Sequence, residues 1–534
     1  MRRTEEAGIG ILSGRHDRMW GWLRDRARSL LANPRAWPAH EARPVTGVWH
    51  EPVRGRPELL APVAFRFDNR TCEIQRAEDW HHPSLSHAWL TRLHAFGDLV
   101  ARQAAGRLGW HQVVLNRWVA ENPPGEGVGW ESEPLSSRMV HWVQWFLDGA
   151  PPDPALLASL ALQARYLDAR LAWRAPGRLL LMNAKALLHA GLFFQGPEAD
   201  GWLTRGLTIL EREIPRRILA DGGEAACAPL PHLLLARDLC DLLNLAWSYP
   251  EAPIPARVTA YWRESLGRLL VWMRMVCHPD GGVPVFGEAM PEGVAELREL
   301  AAYARRLRAM PALPPMPEGV VPLTASGYAR LSRGQAVLLV RLPPAGGCEG
   351  AGRFLGREKL AFEWSLMNQR VVVSPGDGVS CSSVSLDGRS CPGPGGWRWR
   401  RVGPLGLRMA EEGESLVLAC GHDGCGRLGF GGPVHWRQWR FGERELCIED
   451  RVAGAFREAL ARYHFHPALR CQAEADGRAG VLTLPDGRRV TWEVAVGDGG
   501  VIAHPHHARR GASVPAQCLE VGFQGAEARV IFRW

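Results

Sequence analysis

The fold of this chain is decided by the stretch Gly177-Arg-Leu-Leu-Leu-Met-Asn-Ala-Lys-Ala-Leu-Leu-His-Ala-Gly-Leu-Phe-Phe-Gln-Gly196. Its apolar residues lie on nearly every face of a helix, so it predicts a helix buried within a larger array. Asn183, Lys185 and His189 are the polar residues set into it. Each of them has two interpretations, as a functional side chain or as a structural group that pairs inside the core.

A helical pattern surrounds this stretch and extends from about residue 80 to residue 310. Before it, the sequence predicts a short amphipathic helix over Asp17–Leu31 and an extended segment over residues 46–75. Apolar residues then recur at spacings of three and four, and proline or glycine punctuates the gaps. The predicted helices are Ser86–Arg107, His111–Ala120, Ser136–Leu147, Pro154–Trp173, Leu179–Phe194, Trp202–Ala220, His232–Trp247 and Pro255–Cys277.

Short β runs begin after a Pro-rich linker at residues 311–324. Many short strands separated by Gly, Pro and Asp predict an antiparallel β-sandwich. We therefore predict an α+β multidomain chain, with an arm at residues 1–75, helices at 76–310 and the sandwich at 325–534. The predicted strands are Ala336–Arg341, Ala361–Leu366, Arg370–Val373, Ser415–Leu418, Arg444–Asp450, Ala461–His466, Gly480–Thr483, Val490–Val496 and Ala528–Trp534.

Composition and charge narrow the function classes. The net charge is +8, but lysine occurs only at Lys185 and Lys359, so nearly all of the basic charge is arginine. This excess fits either codon bias in a GC-rich genome or a surface that binds polyanions. The sequence contains no run of basic residues interleaved with aromatic residues, so it does not predict nucleic-acid binding. No apolar window is long enough to predict a membrane helix, and the start shows no secretory signal, which predicts a cytoplasmic protein, or a periplasmic one if the start is misassigned.

Several separate motifs carry a family resemblance. They include Asn122-Pro-Pro-Gly-Glu-Gly-Val-Gly-Trp-Glu131, His278-Pro-Asp-Gly281, Gly327-Tyr-Ala-Arg-Leu331 and Tyr463-His-Phe-His-Pro467. Together with the stretch quoted first, and in this order, they resemble the heparinase II/III-like polysaccharide lyases, especially members associated with exopolysaccharide and capsule synthesis. The resemblance implies an incomplete (α/α) toroid followed by a β-sandwich.

The resemblance also implies a chemistry, the β-elimination of uronate-containing polysaccharides. In the family an Asn-His pair neutralises the substrate carboxylate. A Tyr and a His exchange the protons, and many members hold a metal through His, Asp and His. This sequence has other residue types at those positions. The catalytic positions here are Arg178, Leu179, Pro231 and Phe354, and the metal-ligand positions are Gly356, Ser374 and Cys381. The His and Glu that the family has shortly before its Tyr correspond to Glu224 and Ala226.

Neither proline nor phenylalanine can transfer a proton, so we predict that the lyase mechanism is lost and that no cofactor or metal is bound. Arg178 could still grip a carboxylate through its guanidinium. Arg138 fits either a sugar contact or an ion pair with Glu131, and His232 is a weak candidate for a base. His464 and His466 are predicted to be structural. The predicted substrate-binding residues are Glu131, Arg138, His141, Arg178, Asn183 and Lys185.

Three functions follow from these residues. The leading one is a lyase-fold protein that has lost its catalytic residues and binds, or helps to process, an acidic polysaccharide or oligosaccharide. The second is an active lyase with relocated catalysts, using His232, His141 or Glu131. The third is a non-catalytic component of exopolysaccharide assembly. The oligomeric state is left open by the sequence.

Overall fold

The computed structural model describes residues 40–171, 177–286, 297–344, 359–376, 382–390, 404–423, 432–509 and 512–534. The predicted helix Asp17–Leu31 and the positions Phe354, Gly356 and Cys381 lie outside these residues. By internal contacts the chain forms two compact units. Unit 1 contains residues up to Pro215 and Asp241–Ala260, and unit 2 contains Arg216–Cys240 and Tyr261–Trp534. The predicted domain boundaries follow composition rather than contacts, and they stay a prediction.

The predicted helices are confirmed, with ends that move by a few residues, except for Ser86–Arg107. None of the helices in the described ranges has the length and apolar content needed to cross a membrane. The helices are α1 His87–Ala95, α2 Leu108–Glu121, α3 Ser132–Leu147, α4 Pro154–Arg170, α5 Gly177–Phe193, α6 Pro197–Arg217, α7 Pro229–Ser248, α8 Ala256–Val276 and α9 Leu297–Arg306.

The single helix predicted over Ser86–Arg107 is wrong. Helix α1 ends at Ala95, because Phe96 takes a left-handed conformation with φ 54° and ψ 48°. Two short 3-10 helices, Gly97–Val100 and Ala104–Arg107, follow it. The buried Asp98 carboxylate accepts hydrogen bonds from the backbone N–H groups of Glu58 and Leu59, at 2.7 and 3.0 Å, and thereby fixes the turn. A side chain that bonds nearby backbone in this way competes with continued helix.

Helix α3 is the centre of unit 1, where it packs against α1, α4 and α5. Trp118 and Trp142 are fully buried in this core. Helices α5 and α6 approach so closely that glycine is required at their contact. A Cβ atom on Gly191 would lie 2.4 Å from the backbone nitrogen of Leu203, and one on Gly206 would lie 2.9 Å from the carbonyl oxygen of Ala184. The buried helix predicted from the opening stretch is therefore confirmed.

The strands of unit 1 form one small sheet of three strands, β1 Leu59–Ala61, β2 Ala64–Phe67 and β3 Arg70–Glu73. Unit 2 contains the remaining strands. These are β4 Gly319–Leu323, β5 Tyr328–Arg333, β6 Ala336–Arg341, β7 Phe362–Leu366, β8 Gln369–Val372, β9 Val384–Leu386, β10 Arg389–Ser390, β11 Leu405–Glu412, β12 Ser415–His422, β13 Val434–Phe441, β14 Glu445–Ala453, β15 Ala459–His464, β16 Arg470–Ala473, β17 Ala479–Thr483, β18 Arg489–Val496, β19 Asp498–Ala503, β20 His506–Arg509, β21 Ala512–Val514, β22 Gln517–Phe523 and β23 Glu527–Arg533.

The strands of unit 2 form stacked antiparallel sheets, which confirms the predicted sandwich. The largest sheet has eight strands in the order β11-β12-β13-β14-β23-β18-β17-β16, and two five-strand sheets have the orders β4-β5-β6-β7-β8 and β10-β9-β15-β22-β19. Strands β20 and β21 pair separately. Alternate residues of β13 and β18 are buried, as expected for strands that cover a core on one face. Strands β6 and β7 are buried at every residue, so their sheet is covered on both faces.

Candidate functional site

Arg138, a predicted substrate-binding residue, lies inside unit 1 with 0% of its surface exposed. Its Nη1 atom donates to the carbonyl oxygens of His94 and Gly129 at 3.0 and 2.8 Å, and its Nε atom donates to Gln163 Oε1 at 2.9 Å. The guanidinium also lies 3.9 Å from the ring centroid of Trp118. Burial lowers the pKa of Arg138 well below its ordinary value. In this conformation the side chain supports the core and cannot contact a sugar.

The ion pair predicted between Arg138 and Glu131 is absent from the structure. The two positions are seven residues apart in sequence, which is about 10 Å along a helix axis and too far for a direct pair. Glu131 lies at the exposed start of α3, and its Oε2 atom is 2.8 Å from Nε2 of His87. Glu131 therefore stays accessible to a ligand, whereas Arg138 does not.

His94 lies beside Arg138 and is locked as a neutral ring. Its Nδ1 atom accepts a hydrogen bond from Trp118 Nε1, and its Nε2 atom donates to the carbonyl oxygen of Trp80, both at 3.0 Å. Burial, followed by the charge of Arg138, lowers the pKa of His94 to about 3. The imidazole is a fixed structural hydrogen-bonding group at neutral pH.

The polar residues of α5 are also used within unit 1. Asn183 Oδ1 accepts from Ser136 Oγ at 2.7 Å, which joins α5 to α3. Lys185 Nζ lies 2.6 Å from Asp241 Oδ2, and both side chains are more than nine-tenths buried. His189 Nδ1 lies 2.8 Å from the carbonyl oxygen of Lys185. All three residues that interrupt the opening stretch are buried and make contacts inside the core, and their burial leaves Asn183 and Lys185 little surface for a sugar.

Arg178 and His141 are the other predicted binding residues that keep access to solvent. Arg178 is half-buried in the first turn of α5. His141 is half-buried on α3, and its Nδ1 atom lies 2.7 Å from the carbonyl oxygen of Ala95. This contact requires the hydrogen on Nδ1, so a neutral His141 carries its lone pair on Nε2. Arg178, His141 and Glu131 are the accessible remainder of the predicted set.

In unit 2, Pro231 and His232 lie in the first turn of α7. His232 is 1% exposed, donates through Nε2 to the carbonyl oxygen of Leu269 at 2.8 Å and stacks on Trp272 with ring centroids 4.3 Å apart. Burial lowers the pKa of His232 to about 4. Glu224, just before them, is buried and paired with Arg217. A base at His232 is therefore not supported, since its ring is enclosed and its Nε2 atom is already used.

A buried polar cluster in unit 2 was not predicted. His278 lies between Ser365 and Glu363, with Nδ1 2.7 Å from Ser365 Oγ and Nε2 2.8 Å from Glu363 Oε2. Glu363 Oε1 accepts from the backbone N–H of Val285 at 2.8 Å. The order serine, histidine, glutamate is that of a hydrolase triad. However, Ser365 is 1% exposed, so we assign the cluster to fastening residues 278–285 to strand β7.

Glu363 is the residue from which the sequence could have predicted this buried cluster. It is a carboxylate in the fully buried strand β7, and a buried charge requires partners. Arg370 supplies a positive charge near this carboxylate, because its Nη1 atom lies 3.9 Å from Glu363 Oε2. Its Nε atom pairs with Asp280 at 2.8 Å. A single charged residue inside an otherwise uncharged strand was the available signal.

Of the three predicted metal-ligand positions, Ser374 lies within the residues that the structure describes. Ser374, at the aspartate position, is a buried hydroxyl rather than a carboxylate. Within the described ranges, no group of three or more His, Cys, Asp or Glu residues could hold a metal ion. His464 is buried, and His466 is half-buried. Burial lowers the pKa of His466 to about 4, and the ring centroid lies 6.1 Å from that of His506.

The sequence matches two related family models. Residues 105–312 match the model described as "Heparinase II/III N-terminus", and residues 379–525 match the model described as "Heparinase II/III-like, C-terminal". Together these ranges make up more than half of the chain. A heparin-sulfate lyase from Bacteroides stercoris is 30% identical over 119 residues, which span 22% of this chain and 17% of that lyase.

Solved structures with the same architecture include a heparinase III and a Streptomyces coelicolor chondroitin AC lyase in complex with chondroitin sulphate. The first has 15% identity and a TM-score of 0.70, and the match covers 95% of this chain and 88% of that one. The second has 13% identity and a TM-score of 0.55, and the match covers 96% and 78%. At these identities the likeness shows the fold, an incomplete (α/α) toroid followed by an antiparallel β-sandwich, as predicted.

Proposed function

This chain belongs to the heparinase II/III-like family, and from that membership we propose that it binds, or helps to process, an acidic, uronate-containing polysaccharide without performing β-elimination. The observation that supports the absence of β-elimination is the environment of Pro231 and His232. Elimination needs a base within hydrogen-bonding reach of the proton that it removes. The proline has no proton to exchange, and the neighbouring imidazole is 1% exposed and hydrogen-bonded to Leu269.

Anion binding is supported by Arg178. This residue occupies the position at which the resembled family places an Asn that faces the substrate carboxylate, and it keeps partial access to solvent. A guanidinium can bind a carboxylate with two parallel hydrogen bonds, but its pKa is too high for it to act as a base at neutral pH. Replacing the amide by arginine therefore retains, and strengthens, attraction for a uronate while adding no catalyst.

The proposal is tested with heparan sulfate, chondroitin sulfate, alginate and hyaluronan. Ultraviolet absorbance would follow the unsaturated uronate that elimination creates, and calorimetry at low ionic strength would measure binding. We expect a flat absorbance trace together with measurable binding of at least one polysaccharide. Arg178→Gln should weaken this binding several-fold. Arg66→Gln, which removes the same charge from an exposed position on β2, should not.

Each outcome has a meaning. A rise in absorbance would refute the loss of elimination. Equal binding by Arg178→Gln and Arg66→Gln would refute the role of Arg178. Binding to none of the polysaccharides would refute the proposal as a whole and favour a structural component of exopolysaccharide assembly.

An active lyase with relocated catalysts is the second candidate, and His141 is the observation that favours it. Its ring is half-buried, its Nδ1 atom lies 2.7 Å from the carbonyl oxygen of Ala95, and imidazole is the side chain that most often serves as a general base. If this candidate is correct, His141→Gln abolishes the absorbance change while polysaccharide binding persists.

A further inference from the structure

Unit 1 contains a pocket of about 470 Å³ that shares no residue with the proposed polysaccharide contacts. It lies between the segment around Arg54, the 3-10 turns after α1 and the C-terminal end of α3. Pockets that hold small organic ligands typically measure about 300–1,000 Å³. This one is large enough for a single sugar ring or a disaccharide.

The floor of the pocket is apolar and buried. It includes Leu99, Ala101, Ala104, Trp145 and Ala150, each 9% exposed or less. Three of these residues are alanines, whose short side chains leave the space that forms the concavity. A floor of this kind suits the apolar C–H face of a sugar ring, and it offers no group that would bind a charge.

The rim of the pocket carries positively and negatively charged side chains close to one another. Asp148 Oδ2 accepts from Arg54 Nη1 at 2.5 Å, and Asp148 Oδ1 accepts from Trp49 Nε1 at 2.9 Å. The Arg54 guanidinium also lies 3.6 Å from Glu51, which is largely exposed. Arg102 adds a second guanidinium to the lining. A fixed mixture of donors and acceptors matches neighbouring hydroxyl groups, which donate and accept at once.

We propose that this pocket binds a neutral mono- or disaccharide unit, held by its ring face on the alanine floor and by its hydroxyls on the rim. Arg54 already pairs with Asp148 and lies 3.6 Å from Glu51, so a charged sugar would have to compete with these ion pairs. This competition lowers the affinity for a carboxylated or an aminated sugar relative to a neutral one. The inference goes beyond the proposed function, because it needs neither Arg178 nor elimination chemistry, and it gives the chain a second glycan contact.

The test is ligand-observed saturation-transfer NMR on the full chain, with cellobiose, D-glucose, D-glucuronate and D-glucosamine as probes. Ala105 is exposed at the mouth of the pocket, so Ala105→Trp fills the opening without touching the floor. Ala77→Trp is the matched control, since Ala77 is an exposed residue of another 3-10 helix and does not line the pocket. We expect saturation of cellobiose and glucose, at least a fivefold loss in Ala105→Trp and no change in Ala77→Trp.

A charge variant tests the selectivity independently of folding. Glu51→Gln should raise the glucuronate signal to that of glucose, because it removes the most exposed negative charge of the rim. The proposal is overturned if none of the neutral sugars is saturated, if Ala105→Trp and Ala77→Trp behave alike, or if glucuronate binds the unmodified chain best. Ala105→Trp should keep full affinity for the acidic polysaccharide, so failure of this proposal and failure of the proposed function can be told apart.

Discussion

Replacing Lys185 by methionine tests whether the polar residues of α5 serve stability or substrate. Lys185 Nζ and Asp241 Oδ2 are 2.6 Å apart, and their side chains are 8% and 2% exposed. At an effective dielectric constant of 20, attraction over this distance is about 6 kcal/mol, which the loss of hydration largely offsets. Lys185→Met removes the cation that lies against the buried Asp241 carboxylate. We therefore expect Lys185→Met to destabilise α5 by about 3–5 kcal/mol.

Hydrogen exchange measured by mass spectrometry can localise this effect, because it reports the free energy of opening for peptides within Gly177–Phe193. The double variant Lys185→Met with Asp241→Leu should recover most of the loss, since apolar replacement of a buried pair is often neutral. Arg178→Met is the control, and its half-buried position predicts a change within about 1 kcal/mol. Unchanged protection in Lys185→Met, combined with weaker polysaccharide binding, would refute the structural role and assign Lys185 to the ligand.

Three further predictions concern buried groups. Arg138→Met removes the donor to the carbonyls of His94 and Gly129 and should lower the free energy of unfolding by about 2–4 kcal/mol, measured by thermal melting; an unchanged melting temperature would contradict its core role. Because the folded pKa of His94, about 3, lies below its unfolded value, its contribution is complete above pH 6.5 and falls as the pH drops towards 3, by up to about 1.4 kcal/mol per unit. Urea midpoints between pH 6.5 and 5 should therefore fall less in His94→Gln than in the unmodified chain, and equal slopes would refute this. Ser365 should resist an organophosphonate that labels activated serines, as detected by mass spectrometry, and labelling of the native protein would show that it is reachable.

The elements of the fold were predictable because they depend on local periodicity, whereas their pairing was not. The strand predicted as Arg444–Asp450 exists as β14, but its neighbour β23 begins 82 positions further along, with Ile448 opposite Val530. Nothing local specifies that partner. The sequence did not predict the early end of α1 for a similar reason. The turn that follows depends on Asp98, whose carboxylate accepts hydrogen bonds from the distant backbone N–H groups of Glu58 and Leu59.

The candidate site was predictable in residue type but not in exposure. Sequence reading placed Arg138 near a ligand because it lies in a motif that the resembled family has near its substrate path. The structure instead satisfies it with the carbonyl oxygens of His94 and Gly129, which come from two separate turns. Lys185 likewise pairs with a residue 56 positions away. Only the three-dimensional arrangement distinguishes these buried groups from Arg178 and His141.

The contact between α5 and α6 bears on how activity is inferred from sequence. At Gly191 and Gly206 the two backbones touch, so any larger residue would push the helices apart whether or not the protein performs chemistry. The same holds for Lys185 and Asn183, whose loss would remove contacts from the buried Asp241 and Ser136 side chains. The buried residues of this recognisable segment are therefore needed for folding whether or not the protein performs chemistry. A search pattern built on it would retrieve working enzymes and inert descendants equally well, and patterns meant to find lyase activity should be built on the proton-transferring positions instead.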